Sequence, residues 1–472
     1  MDDSEMAVAV VGAGPAGLVA AARLAEAGAD VTVLEREGTV GGRVRSRTVD
    51  GFTIDRGFQV FFDSYPAARA ELDLEALDLR AFAPGAIICR PGSRSTLADP
   101  FRDPRAALES AFSREIPFAD KLRTLRLKRE LATGSGSESD VDPDSEPDPV
   151  DGFGFIRTAG TDESIRSFLW ERGFSETYLD RFVAPFYGGI TLDRSLSSSA
   201  RVFRETFHAM SEGRTVVPAD GMGAITRQLA GRARDAGCSL RLETTVEELT
   251  VEGSSAEGSA AGKSRGGGST EGGVNADDDG VRLRLADGSE TVADAAVVAT
   301  SPPEARRLTD VESIPTTGVG CVTQWYTLPP GRSLGTGPRI LLNAGGDRPN
   351  TVAPLGAVAP EYAPEDRTLL AATFVDDDAF DRDDATLAAE TERALASWFP
   401  ERSLDGLEPL VTDRTPFAQF TQPPGFRERL PAPDAPEGPV VLAGEYTDWS
   451  SIQGALASGR QASEIVLGAV DP

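Results

Sequence analysis

The sequence predicts an α/β fold: a Rossmann-like nucleotide-binding domain, discontinuous along the chain, with an inserted α+β domain. Three observations lead there. An apolar run, Val8 to Val11, is followed at once by Gly12, Gly14 and Gly17 in the order G-x-G-x-x-G. An Ala/Leu-rich stretch to Gly28 and a second apolar run, Val31 to Leu34, complete a strand–helix–strand unit that closes on Glu35. Near the other end, Val440 to Leu442 is a further strand, entering the turn Ala443-Gly444-Glu445 before a helix expected over Ala455 to Leu467.

Each part of the first unit has a physical role. Gly12 allows the sharp turn out of the strand, Gly14 lets a pyrophosphate approach the backbone, and Gly17 lets helix and strand pack closely. The helix that begins at Pro15 and Ala16 turns unpaired N–H groups and a partial positive charge toward the phosphates. Glu35 lies 35 − 14 = 21 residues past the middle glycine, where a carboxylate takes a ribose hydroxyl, and Arg36 adjoins it. The glycines leave open which dinucleotide is bound.

The next turn narrows the choice. Gly41-Gly42-Arg43 resembles the double-glycine signature of FAD enzymes in the flavin amine oxidase superfamily, which includes monoamine oxidases, protoporphyrinogen oxidases and carotenoid (phytoene) desaturases. Physically, a second Gly-rich loop brings more backbone N–H groups to the same pyrophosphate, and Arg43 adds charge-assisted contacts. The resemblance implies FAD as cofactor. Nothing after Cys321 could form a late cysteinyl bond to it, so the FAD is expected to be non-covalent.

Composition limits the rest. With Lys+Arg at 47 and Asp+Glu at 75 the net charge is −28, a field that repels nucleic acid. Only Lys121, Lys128 and Lys263 are lysines, so 47 − 3 = 44 bases are arginine. This is either the bias of a halophilic, salt-filled cytoplasm or an ordinary acidic enzyme. Cys89, Cys238 and Cys321 form no C-x-x-C, and His208 is the only histidine, so no metal site and no Ser-His-Asp triad is expected. The opening Met-Asp-Asp-Ser-Glu has the wrong charge for a signal peptide, and the uncharged run Ala7 to Ala22 is too short to span a bilayer. A cytoplasmic protein is expected.

In chain order, Gly51 to Gln59 reads as a strand pair and a tight glycine turn. In the resembling family a D-x-G segment here runs beneath the flavin ring; Asp55 and Gly57 match it, and Phe58, Phe61 and Phe62 are either substrate-side or core. Tyr65 to Gly92 mixes helix and strand. Ala119 to Leu131 keeps helical leucine spacing and carries Lys121, Arg123, Arg126, Lys128 and Arg129. That basic helix is either a membrane-surface or anionic-substrate contact, or a solvated face. Residues 134–151 carry almost nothing apolar and read as a disordered loop. Ile165, Phe168 and Leu169 form a helical stripe, and Ser175 is an N-cap with Phe174 and Leu179 as its staple. Phe182 to Ile190 is similar to a segment that walls the substrate cavity in protoporphyrinogen oxidases and phytoene desaturases; a packed helical domain with no ligand accounts for it as well.

Pro218 to Gly223 resembles the P-x-G-G-M turn of the same enzymes, leading into a helix over Ala224 to Ala236. Past the strand at Ser239 to Leu242, Val246 matches a family valine that packs on the adenine side through its backbone. Residues 253–280 form a low-complexity insert between two segments, at Leu249 to Val251 and Val281 to Leu285, that pair as a hairpin. Ala295 to Thr300 is a buried strand. Val319 to Phe399 alternates strands with one helix, Leu387 to Trp398. The expected domains are therefore FAD-binding 1–65, 215–300 and 423–472, and substrate 66–214 and 301–422.

At the C-terminal motif the resemblance puts Gly444 and Glu445 on the FAD ribityl or pyrophosphate region. It turns the helix opening at Ser451, Ile452 and Ala455 toward the flavin pyrimidine edge, where negative charge gathers on reduction. Two departures tell against a monoamine oxidase: no lysine follows Lys263, and Ser451 stands where an aromatic is usual. The expected function is hydride removal from a hydrophobic, isoprenoid- or carotenoid-type substrate to flavin N5. Amine oxidation and a non-catalytic structural FAD are the alternatives. No catalytic side chain is assigned; Phe58, Trp325, Tyr326, Phe417 and Trp449 are cavity or core candidates. Peripheral membrane contact is a further expectation, and oligomeric state is left open.

Overall fold

The structure is a computed structural model, and it describes residues 6–98, 103, 115–134, 162–251, 280–346 and 348–468. Among them, five strands form an all-parallel sheet in the order Ser239–Arg241, Asp30–Leu34, Ala7–Val11, Ala295–Val298, Val440–Leu442. Strands from both ends and the middle of the chain thus share one sheet. In Ala7–Val11, Ala295–Val298 and Val440–Leu442 every residue is Val, Ala or Leu, because both faces are covered. The order reverses at Ala7–Val11, so a crevice opens at the carboxyl ends of the central strands, where such sheets bind ligands.

The first helix, Pro15–Glu26, starts with proline where a missing N–H costs nothing and stops before Gly28, whose φ of 95° is left-handed. It packs against helices Gly223–Asp235 and Ile452–Gly468. A Cβ at Gly459 would lie 2.2 Å from the Ala16 carbonyl oxygen, so glycine sets the approach of the last helix to the first.

A second, seven-stranded mixed sheet runs Glu408–Phe420, Gly318–Leu328, Thr368–Phe374, Thr351–Ala353, Ile340–Asn343, Ala86–Arg90, Ser93–Leu97. The strand Gly318–Leu328 is covered on both faces: Trp325 packs into the nucleotide-domain core, while Tyr326 faces the core under helix Asp384–Trp398. A helical layer with its own core comprises Phe118–Gly134, Ile165–Glu171, Ala184–Thr191 and Ala200–Glu212. A small sheet of Phe61–Phe62, Thr215–Pro218 and Leu79–Ala81 links the two regions. The α/β class read from the sequence is the fold observed, with the inserted region α+β.

Local expectations fare as follows. Ser175 caps its helix, its Oγ accepting from the Tyr178 N–H at 3.2 Å. Val246–Val251 pairs antiparallel with Val281–Leu285. The strand pair expected within 51–59 is corrected: only Phe52–Asp55 is a strand, and its partner is Ser46–Val49 upstream. The reason is the two-residue turn Asp50-Gly51, both residues at positive φ, which closes a hairpin on the earlier side. The last helix begins at Ile452 rather than Ala455. The loop at 134–151 and the insert at 253–280 lie outside the described residues, save Gly134 and Gly280. No described helix is long and apolar enough to cross a membrane.

Candidate functional site

One cavity of about 1320 Å³ runs from the carboxyl ends of the parallel strands to the basic helix Phe118–Gly134. That exceeds the usual span of a site for a single small ligand, roughly 300–1,000 Å³.

Its inner half is a cradle built from four turns. Gly14 lies where an added Cβ would meet nothing within 4 Å, and a Cβ on Gly42 would sit 3.7 Å from the Gly14 Cα. The two glycine turns therefore approach each other closely, with open space on the side toward which a Gly14 side chain would point. No side chain caps the first helix at Gly14, which leaves its N-terminus to an anion. Glu35 is buried; one carboxylate oxygen accepts from the Ala13 N–H at 2.7 Å and the other from the Glu37 N–H at 3.0 Å. Each oxygen keeps a lone pair for a hydroxyl. Arg43 donates to Glu445 at 2.5 Å and to the Ala418 carbonyl at 2.8 Å, tying the second glycine turn to the C-terminal motif. Gln59 donates to the Arg43 carbonyl at 2.9 Å, and Arg56 to the Gly42 carbonyl at 3.3 Å, which sets the Gly57 turn against the same loop. Ser451 Oγ accepts from the Gly454 N–H at 2.8 Å, opening the last helix toward the cavity.

The cavity wall includes Gly12, Gly14, Pro15, Ala16, Glu35, Arg36, Gly42, Arg43, Gly57, Val246, Gly444, Glu445, Ser451, Ile452 and Ala455. Two assigned residues do not reach it. A Cβ on Gly17 would lie 2.0 Å from the Gly12 carbonyl oxygen, so Gly17 serves packing. Gly41, at φ 120°, shapes the turn, its N–H donating to Ala13. Asp55 is also absent from the wall. It is buried, accepting from Ser46 Oγ at 2.5 Å and the Met222 N–H at 2.9 Å. The D-x-G aspartate thus fastens the Gly57 turn to the Pro218–Gly223 turn, and burial pushes its carboxyl up to about 6.

The outer half is aromatic. Phe174, Tyr178, Phe182 and Phe186 follow one another with ring centroids 4.9, 5.4 and 5.5 Å apart, and Phe203 and Phe207 stack at 5.4 Å. All six line the cavity with Phe58, Phe62, Phe417 and Trp449. Phe61, Trp325 and Tyr326 are core instead. The spacing of four from 174 to 186 is the signal that sequence reading used only in its second part. Cys321 also lines the wall, its thiol pushed up to about 11 by desolvation and so protonated at neutral pH. From the basic helix, Phe118, Lys121, Leu122, Thr124, Leu125, Leu127 and Lys128 line the cavity, while Arg126 and Arg129 are exposed away from it. No group of three or more metal-ligating side chains occurs among the described residues.

The chain matches the sequence profile of flavin containing amine oxidoreductases over residues 15–467. It belongs to that family. Members of the family are flavin-dependent oxidoreductases, and the cradle fits the diphosphate of a flavin dinucleotide: two close glycine turns, an uncapped helix N-terminus and a buried carboxylate, Glu35. Among solved structures, an oxidoreductase from Methanosarcina mazei superposes with a TM-score of 0.69 at 15% identity, covering 97% of this chain and 100% of that one. Putrescine oxidase bound to putrescine gives 0.68 at 18% identity over 98% and 99%. Cyclohexylamine oxidase from Brevibacterium oxydans gives 0.64 at 17% over 99% and 100%. These likenesses establish the fold. A 4,4'-diapophytoene desaturase of Staphylococcus aureus is 52% identical over 52 residues, 11% of this chain; the match spans only 10% of that desaturase.

Proposed function

We propose that this flavoenzyme binds FAD non-covalently and oxidises an elongated hydrophobic substrate of isoprenoid or carotenoid type. The observation that carries the reading is the lining of the outer cavity, which is largely aromatic and aliphatic, has Lys121, Lys128 and Arg214 as its charged residues, and holds no carboxylate or imidazole among its described residues. The short match to a diapophytoene desaturase supports the same substrate class.

In this reading Gly12, Gly14, Pro15, Ala16, Gly42 and Arg43 hold the pyrophosphate. Glu35 accepts from the adenosine ribose, with Arg36 and Val246 on the adenine side. Gly57 lies beneath the ring system, Gly444 and Glu445 serve the ribityl chain, and Ser451, Ile452 and Ala455 present the last helix to the pyrimidine edge. When bound, the flavin supplies a two-electron acceptor at N5 for a hydride leaving a substrate carbon. The protein's part is to orient that carbon, exclude water with Phe58, Phe62, Phe417 and Trp449, and offer no competing base. Cys321, held protonated, takes no proton from the substrate.

Exposed Phe118 and Leu122 beside the bases of the same helix support peripheral contact with a membrane from the cytoplasmic side. The charge of −28 supports a salt-rich interior as the working medium. Anaerobic mixing tests the activity: a polyene precursor such as phytoene, which still has C–C bonds to desaturate, should bleach the oxidised flavin spectrum. Bleaching by an amine such as putrescine instead makes the protein an amine oxidase. A flavin left oxidised by a broad panel of such compounds favours a structural cofactor.

A further inference from the structure

Four arginines near the second glycine turn each have a carboxylate beside them. Arg36 and Arg45 lie 3.6 and 3.5 Å from Glu37, Arg43 lies 2.5 Å from Glu445, and Arg47 lies 2.6 Å from Asp413. Arg56 is the exception. It is half-buried in the cavity wall, and among the described residues no carboxylate stands within ion-pair distance of it. In a chain with 75 acidic residues against 47 basic ones, a carboxylate partner is easily supplied. A half-buried cation without one costs free energy, which an arriving anion recovers. Burial, and after it the nearby Arg45, hold the Arg56 guanidinium below the ordinary arginine range, while Glu37 and Asp413 act the other way from beyond ion-pair distance.

The backbone fixes where this guanidinium sits. Asp55 before it is buried and bonded to Ser46 and Met222, and Gly57 after it turns at φ 81°. The Arg56 N–H donates to the Arg45 carbonyl at 3.0 Å. Its own carbonyl accepts at 3.1 Å from the Gln59 amide, which also holds the Arg43 carbonyl. Arg56 Nη1 donates to the Gly42 carbonyl at 3.3 Å, and Gly42 is where the two glycine turns come together. The other donors of the guanidinium fork are thereby held at the edge of the phosphate cradle in advance of a ligand. Arg43, the base that the sequence places there, is already matched: its Nη1 donates to both Glu445 and the Ala418 carbonyl. Glu35 and Glu445 both bring negative charge to the cradle, and Arg43 is bonded to only one of them.

We propose that Arg56 is the arginine that meets the charge of the FAD diphosphate, reaching it from the Gly42 side, while Arg43 braces the C-terminal motif through Glu445. This rests on the FAD reading above and moves the principal charge contact within it from Arg43 to Arg56. An arginine suits the task because its planar fork offers paired donors to phosphate oxygens and keeps its charge when partly desolvated. Arg56 binds the cofactor here and takes no part in the hydride step.

The test titrates the full-length apoprotein with FAD, read by quenching of flavin fluorescence, at about 0.2 and about 2 M KCl. Arg56→Gln should weaken FAD binding at least about tenfold at the lower salt. Arg56→Lys, which keeps the charge, should recover part of that loss. The gap between wild type and Arg56→Gln should narrow at the higher salt as screening tightens. The melting midpoint of apo Arg56→Gln should not fall, because the variant removes an unmatched cation. Equal FAD affinity of wild type and Arg56→Gln overturns the proposal. So does a loss that Arg56→Lys shares in full and that comes with a lowered apo midpoint, which makes Arg56 a brace for the Gly42 carbonyl. A shifted flavin reduction potential with unchanged affinity also overturns it, because the charge then acts on the ring. A wild type that takes up no FAD removes the flavin reading itself, an outcome distinct from equal affinities.

Discussion

Glycines three residues apart have opposite reasons to be glycine. Gly14 faces open cavity with φ −78°, so Gly14→Ala should leave the apoprotein's melting midpoint unchanged and weaken FAD binding at least about tenfold. Gly17 faces a carbonyl oxygen at 2.0 Å, so Gly17→Ala should cost about 3 kcal/mol or more and lower the apo midpoint as well. Calorimetric melts and flavin titrations of both variants check this; equal effects on both readouts would remove the distinction. Asp55 supplies a pH test. Its carboxyl is raised from 3.8 to about 6, so the native state binds its proton more tightly than the unfolded chain does. That contribution to stability is full below about pH 4 and is lost as pH rises through 6, a change on the order of 3 kcal/mol. In urea unfolding from pH 4 to 7, wild type should lose stability relative to Asp55→Asn across that window; parallel curves would refute it. The glycine turn was legible in the sequence because its logic is contained in consecutive residues. The role of Asp55 was not, since its partners Ser46 and Met222 lie 9 and 167 residues away.

Among the helices, the last one depends on Gly459. Gly459→Val would drive a side chain against the Ala16 carbonyl and push Ile452–Gly468 off the first helix, at about 3 kcal/mol. Because the same two helices open onto the cradle, flavin should be lost together with stability, and a variant that melts early yet retains its flavin would contradict this. Periodicity found the basic helix but could not orient it. Leu127 and Leu131 are buried whereas Leu122 is exposed, so the leucines do not mark a single face. Consecutive burial of Trp325 and Tyr326 was illegible for a related reason: alternation predicts one buried face, and this strand has a different core on each side.

Across the whole molecule, charge competes with itself. Many arginines pair with surface carboxylates, as Arg282 does with Glu290 at 2.6 Å, and salt weakens such pairs. Each exposed pair contributes little, however, while a net charge of −28 repels over the entire surface. Repulsion should therefore dominate, and the melting midpoint should rise by several degrees or more between 0.1 and 2 M KCl as the screening length falls from about 10 Å to under 3 Å. A falling midpoint would mean the ion pairs matter more. The parallel sheet also has a biosynthetic consequence. One outer strand, Val440–Leu442, and the helix after it are made later than the other four strands of the sheet, yet both border the cradle opened by the first strand. A nascent chain thus exposes the apolar edge of Ala295–Val298 from the moment that strand is made until Val440–Leu442 follows, and vitamin-derived cargo meets a closed cradle only after Ile452–Gly468 has been added.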